Sequence, residues 1–452
     1  MRRIVRFVLV AFAFAVSGAQ ATTTTVTSNA DSGAGTLRDA IANAGSGDTV
    51  DFAGDMTITI GSALVISQNL TIDGSGHAVV LDGGRAVGVF AINSGATVQI
   101  TQLTVQNGNA AKGGAIYNTG SLALTGSTVE SNSATSVGGA IYNTGTLTVT
   151  GSTVVNNSSA RGGCGIFNTG MLTLTDSTVE FNSVADSNGT ELGGGIYNSG
   201  TVTLTGDTLL QNTAPLGGGI YNSGTVTLTG DTLSANTAYQ GGGIYNSGTV
   251  TLTGNTLSTN VATYGGGIYN DGGTSALINN TLSANRANDG GGIMNYGGGA
   301  VMLTNSTFSG NVGTTIGAGI YNFSGNSTLT NAIVADGCAV NPGTVIDNGG
   351  NLDSSASCGF SAATSQSNAV LNLSTLADNG GPTQTILPDP GSAAINAVSC
   401  ANAPLTDQRG FLRPDPASTG STTPCDAGAV EAGSQMSDRI FADGFGPPPL
   451  FK

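Results

Sequence analysis

The sequence has no tryptophan, a single histidine (His77) and only 12 Lys+Arg in 452 residues. Each scarcity closes off a kind of chemistry. Nucleic-acid affinity rests on neutralising phosphates with basic side chains, and this chain has too few to build such a surface. One histidine leaves little for a histidine-based metal centre or a Ser-His-Asp relay. Charged residues make up 9% of the chain and mean hydropathy is +0.12, which opposes disorder driven by charge. Beyond the first 21 residues no run is long and apolar enough for a transmembrane helix. The succession of alternating strands with aromatic girdles that an outer-membrane barrel requires is also missing. What the chain has in abundance is glycine, 72 residues, with Ser, Thr and Asn set between short aliphatic stretches. That mixture implies many tight turns and short strands. Its 27 Asp+Glu give a formal charge of −15.

The N-terminus reads as an export signal. Arg2, Arg3 and Arg6 form a basic start, Ile4 to Val16 is otherwise apolar, and Ala19-Gln20-Ala21 is a small-residue cleavage site. Cleavage after Ala21 leaves 431 residues with a net charge of −18.

The middle of the chain is a repeat array. One unit, Gly217 to Ala238, reads GGGIYNSGTVTLTGDTLSANTA. Its aromatic position recurs at Tyr117, Tyr142, Phe167, Tyr197, Tyr221, Tyr245, Tyr269, Met294 and Tyr321, at intervals of 24 to 30 residues. A period of this size means a solenoid. Within the unit, Thr225 to Thr229 alternates strictly, with Val226 and Leu228 on one face and Thr on the other, while Ile220 and Leu233 mark two further short strands. Three short strands per turn of about 24 residues predict an all-β chain wound as a single-stranded parallel β-helix. Twelve or thirteen coils stacked at about 4.8 Å make a rod on the order of 60 Å long. Two recurring asparagines, one set from Asn118 to Asn322 and another from Asn132 to Asn311, are expected at the corners, where Asn tolerates left-handed backbone and its amide can pair with the amide one coil away.

The ends differ from the middle. Thr36 to Ala44 places Leu37, Ala40, Ile41 and Ala44 on one helical face with Thr36 as N-cap, a short helix suited to covering the first coil. The expected division is a signal peptide (1–21), an N-terminal cap (22–60), β-helix repeats (61–335), an irregular C-terminal region (336–433) and a tail (434–452). Cys338 and Cys358 are 20 residues apart and Cys400 and Cys425 are 25 apart, which suggests bridges Cys338–Cys358 and Cys400–Cys425. Four cysteines allow three pairings, so spacing alone leaves the connectivity open. Cys164 replaces a repeat glycine and reads as a small unpaired core residue.

Several segments resemble known families. Gly113-Gly-Ala-Ile116 and Gly138-Gly-Ala-Ile141, with Phe308-Ser-Gly-Asn311 and its Leu/Val-x-x-Asn variants, resemble the GGAI and FxxN repeats of polymorphic outer membrane proteins. Val26 to Ile41 is similar to the CSLREA-type N-terminal domain of exported bacterial β-helix proteins. Asp378 to Thr385, Thr406-Asp-Gln-Arg-Gly410 and Cys425-Asp-Ala-Gly-Ala-Val-Glu431 resemble the choice-of-anchor Q domain. Together these cover nearly the whole chain after the signal. The resemblance implies a right-handed, pectin lyase-like β-helix, exported to the surface or exterior of a Gram-negative bacterium, and no particular reaction. The autotransporter barrel of the polymorphic proteins is missing. Asp438 to Phe445 is similar to short C-terminal tails on exported proteins.

Many right-handed β-helices act on polysaccharides, so candidate chemistry needs weighing. Hydrolases need paired carboxylates in a groove. Asp207 and Asp231 share a phase on adjacent coils and suit a shared-proton pair or a calcium site, but they equally suit two turn residues with solvent between them. Asn255 in the next coil favours the turn. His77 lies in an early-coil turn. Tyr197, Tyr221, Tyr245 and Tyr269 follow inward Ile residues and should point outward and stack, either as a ligand-binding row or as a self-satisfied ladder. The outward Thr rows, such as Thr201, Thr203 and Thr205, resemble the flat arrays of ice-binding β-helices, though Thr is also simply a good strand residue. The expectation is a secreted or surface-exposed scaffold or adhesin-like rod without catalysis, whose partner is a polysaccharide or a cell-surface protein. It invokes no nucleic acid, metal or cofactor. The alternative is a polysaccharide lyase or glycoside hydrolase of the pectin lyase-like class.

Overall fold

A computed structural model describes residues 21–184, 189, 191–414 and 424–433. All but Ala21 of the expected signal peptide, and the tail from Ser434, lie outside the described residues.

The chain forms a parallel β-helix. Among the described residues, three long parallel sheets of 14, 13 and 12 strands run along it, and each regular coil contributes one strand to each. In the coil that begins at Gly217, Ile220–Asn222 lies in the 12-stranded sheet, Thr225–Thr229 in the 14-stranded sheet and Thr232–Ser234 in the 13-stranded sheet. The period-2 pattern sets which side chains enter. Ile220, Val226, Leu228 and Leu233 are fully buried and pair in register with Ile244, Val250, Leu252 and Leu257. Each inward aliphatic column therefore continues from coil to coil, and burying one such side chain is worth about 1.5–3 kcal/mol. The flank between Leu233 and Ile244 is narrow: a Cβ on Gly218 would lie 2.6 Å from the carbonyl oxygens of Gly242 and Thr237, so the Gly-Gly-Gly runs let one coil's backbone nest on the next.

Polar ladders line the corners. Asn118 to Asn322 donate Nδ2 to the next Asn Oδ1 at 2.7–3.2 Å, and Asn132 to Asn311 do likewise at 2.9–3.1 Å. The second ladder ends on Asp336, whose Oδ2 accepts from Asn311 at 2.6 Å. One expectation needs correcting. The left-handed residue at this corner is not the asparagine but the one before it: Ser131, Asn156, Phe181, Gln211, Ala235, Thr259 and Ala284, at φ 53–56°. The turn swings the following Asn inward, where both ends of its amide find partners.

The helix forms at Leu37–Asn43, with Thr36 Oγ1 accepting from the Asp39 N–H, and buries Leu37, Ala40 and Ile41. It packs on Thr23–Val26, Asp48–Phe52 and Leu64–Ile66. The coil stack already begins at Thr23–Val26, which pairs with Asp48–Phe52. At the other end a further coil follows Ala335, with strands Cys338–Val340, Thr344–Asp347 and Leu352–Asp353. The bridge Cys338–Cys358 closes it, and Cys400–Cys425 is also present. Cys164 is buried and unbridged.

Residues beyond Gly359 turn back as a strap over the corner between the 14- and 13-stranded sheets. Thr383 Oγ1 donates to Gly254 O, Asn279 Nδ2 to Thr406 O, and Thr281 Oγ1 to Gln408 Oε1 at 2.6 Å. Gly428 passes so close that a Cβ would meet Ile333 Cδ1 at 2.5 Å.

Candidate functional site

The outward position between the inward Ile and Asn columns builds an aromatic ladder. Tyr117, Tyr142, Phe167, Tyr197, Tyr221, Tyr245 and Tyr269 stack in turn, with ring centroids 4.2–5.5 Å apart and planes within 16°. At the next coil Met294 takes the position, and the stack shifts sideways to Tyr296 and Phe323, two residues along the same face. Tyr321 returns to the original column and meets Phe323 edge-on. Nine rings thus form one continuous stack.

The expected exposure holds for only part of this row. Tyr117 is 36% exposed and Tyr197 and Tyr221 are half-buried, but Tyr245 and Tyr269 are only 8% and 4% exposed. The cause is a wall from the flank, where Leu216, Gln240, Tyr264, Asp289 and Ile316 stack as successive bridges beside the tyrosines. Burial raises the Tyr221, Tyr245 and Tyr269 phenols above their ordinary range, helped at Tyr245 by a hydrogen bond to Asp271 Oδ2. The ladder's distal part is therefore the floor of a groove. There Tyr269, Met294 and Tyr321 lie between Gln240, Tyr264 and Asp289 on one side and Tyr296 and Phe323 on the other, around a hollow of about 360 Å³.

Asp207 and Asp231 need correcting in the other direction. Neither shares solvent or an open metal site: they are 1% and 0% exposed. They belong to a third inward ladder, Ser127–Ser152–Ser177–Asp207–Asp231–Asn255–Asn280–Ser306. Asp207 accepts from Ser177 N and Thr205 N, and Asp231 from Asp207 N and Thr229 N. Burial nevertheless dominates, pushing Asp207 up to about 7 and Asp231 up to about 8. Sealed from substrate, the pair cannot serve as a catalytic dyad.

His77 Nδ1 lies 3.6 Å from Asp55 Oδ1 at the surface, beside Gln102 and Thr128. The outward Thr201, Thr203 and Thr205 are exposed. Among the described residues, no three His, Cys, Asp or Glu side chains gather as a metal site requires. No described helix is long and apolar enough to cross a membrane.

One cluster escaped sequence reasoning. Asp407, Gln408 and Arg409 from one motif of the strap, Asp426 and Glu431 from another, and Arg413 between them are all buried. Arg409 Nη2 meets Asp407 Oδ2 at 2.7 Å, Arg413 Nη1 meets Glu431 Oε2 at 3.1 Å, and the Arg409 guanidinium lies 4.2 Å from the Phe411 ring centre. Burial pushes Glu431 up to about 7. Gln408 Nε2 reaches Asn255 O and Thr256 Oγ1, so the cluster clamps the strap to the coils. The dense charge within Thr406 to Glu431 was its one sequence signal.

No family model and no curated protein matches this chain. Two similar solved structures are the pectate lyase Pel9A, at 14% identity, TM-score 0.40, 91% of this chain and 96% of that one, and the cedar-pollen allergen Jun a 1, at 12%, 0.24, 72% and 77%.

Proposed function

We propose that this chain is an exported β-helical rod that acts by binding along its side rather than by catalysis, a scaffold or adhesin-like protein whose partner is a polysaccharide or a cell-surface protein. The nine-ring ladder carries this reading. It is exposed at Tyr117 and half-exposed at Tyr197 and Tyr221, and it presents ring edges and phenol hydroxyls at a regular spacing, which suits the repeat of a chain of sugar rings lying along it. The two disulfides fit an oxidising, extracytoplasmic compartment. The Arg2–Ala21 segment, the CSLREA-like Val26 to Ile41 and the choice-of-anchor Q-like motifs support export by a Gram-negative bacterium.

The test is a screen of the purified protein against acidic and neutral polysaccharides, with and without calcium, reading both binding and new sugar ends. Binding without turnover is expected, and it weakens when Tyr197 and Tyr221 become Ala in a variant that melts like the wild type. Release of reducing or unsaturated ends would overturn the reading.

A further inference from the structure

The groove at the distal end of the ladder has a feature the rest of the row lacks. Asp289 lines it, and its Oδ1 is buried with no hydrogen-bond partner among the described residues. A buried carboxylate oxygen without a donor is a standing cost that a ligand donor relieves. The rings around it are Tyr264 and Tyr269, with Tyr296 37% exposed across the hollow and Phe323 stacked on Tyr296. Asp271 lies in register beside Tyr296 and adds a second negative charge nearby. The chain as a whole is strongly acidic, at −15. Aromatic walls together with an unpaired carboxylate oxygen favour a cation carried on a compact ring-shaped body with apolar surface. A neutral sugar would leave the carboxylate charge unanswered, and an acidic sugar would be repelled by it.

We propose that this groove, lined by Asp289, Tyr264, Tyr269, Tyr296 and Phe323, binds a protonated amino sugar of glucosamine type within a polysaccharide. The pyranose packs against the outer edges of Tyr296 and Phe323, and the ammonium group donates to the Asp289 carboxylate. The proposal rests on the binding-rod reading above and names a substrate class and a site for it.

The experiment is calorimetric titration of the whole protein with a glucosamine oligomer, its N-acetylated counterpart of equal length and a cello-oligomer that lacks the amine, at a pH just below neutrality. The wild type should bind the glucosamine oligomer about tenfold more tightly than either neutral one, the size of one charge-assisted hydrogen bond. Asp289→Asn keeps the shape and should erase that preference. Tyr296→Ala should weaken all binding. Equal affinity for charged and neutral oligomers, no binding of the glucosamine oligomer, or a preference that survives Asp289→Asn would overturn the proposal. If the glucosamine oligomer fails these tests while the wider screen finds another polysaccharide held independently of Asp289 and Tyr296, this site is refuted and the rod reading stands. Release of new sugar ends from any of these oligomers or polysaccharides would instead sink the rod reading itself.

Discussion

Replacing Asp207 and Asp231 together by Asn should stabilise the protein at alkaline pH and leave it unchanged in acid. The two carboxylates occupy consecutive rungs of one buried ladder, about 4.8 Å apart by the strand spacing. With both ionised, their repulsion at an effective dielectric near 20 is about 3 kcal/mol. Neither has a cation to offset it; their partners are backbone N–H groups. Burial accordingly holds them up to about 7 and about 8, against 3.8 for the ordinary carboxyl. The sign follows from proton binding. Between these limits the folded state keeps protons that the unfolded chain has released, so the pair's contribution is fully present below about pH 4 and is lost as pH rises through 7 to 8. Asn suits the site because Asn255 and Asn280 already fill the next rungs, each accepting one backbone N–H while donating Nδ2 to a core carbonyl, Leu228 O and Leu252 O. The urea midpoint of wild type and double variant should be measured across this range by circular dichroism. The variant should match the wild type in acid and exceed it at alkaline pH by at least about 3 kcal/mol, the repulsion alone, with the burial of each carboxylate adding to it. Parallel profiles would refute the claim that these carboxylates are buried and protonated near neutrality.

Three further outcomes are expected. Asn236→Ala strips Asn212 of its acceptor and leaves Leu209 O without its donor in the core, so a loss of about 3 kcal/mol is expected by chemical unfolding; a loss below a few tenths would mean the ladders contribute nothing. Cys338→Ser with Cys358→Ser opens a 20-residue loop and should cost about 3 kcal/mol in the same assay, whereas an unchanged midpoint would show the bridge is not formed in the purified protein. Cys164, buried against Ser159 and with its thiol pushed up to about 11, should resist a thiol reagent until the protein unfolds; rapid labelling of the native protein would contradict its burial.

The repeat made the columns legible before any coordinates. The Ile, Val and Leu positions are inward and the Tyr positions stack, because strict period-2 alternation in a fixed register leaves one arrangement. The corner backbone was not legible. Ser, Asn, Phe, Gln, Ala and Thr all occupy the left-handed position before the second Asn, so residue type carries no signal there, while the conserved spacing of the Asn itself drew attention one residue too far. The burial of Tyr245 and Tyr269 also escaped, because their cover comes from a column whose chemistry changes at every coil, from Leu216 through Gln240 and Tyr264 to Asp289. Asp207 and Asp231 looked like surface turns because Gly-Asp-Thr is a common turn sequence; the ladder turns them inward. The strap's motifs stood out in the sequence but its path along the coils could not be read, since its contacts join residues more than 120 positions apart.

That strap changes what kind of object the rod is. In a plain stack each coil is held by its two neighbours, so the terminal coil frays first and loss propagates inward one coil at a time. Here the segment following the last coil returns along the side and is fastened at Gly254, at Asn279 and Thr281, and at Thr307, which belong to three successive coils. The end cannot peel without first releasing a clasp seated well inside the stack. A pull on the C-terminus is shared among several coils at once instead of unzipping them in series. If the protein works outside the cell, as proposed, this splint is the reason its last coils should be among the parts most resistant to proteases.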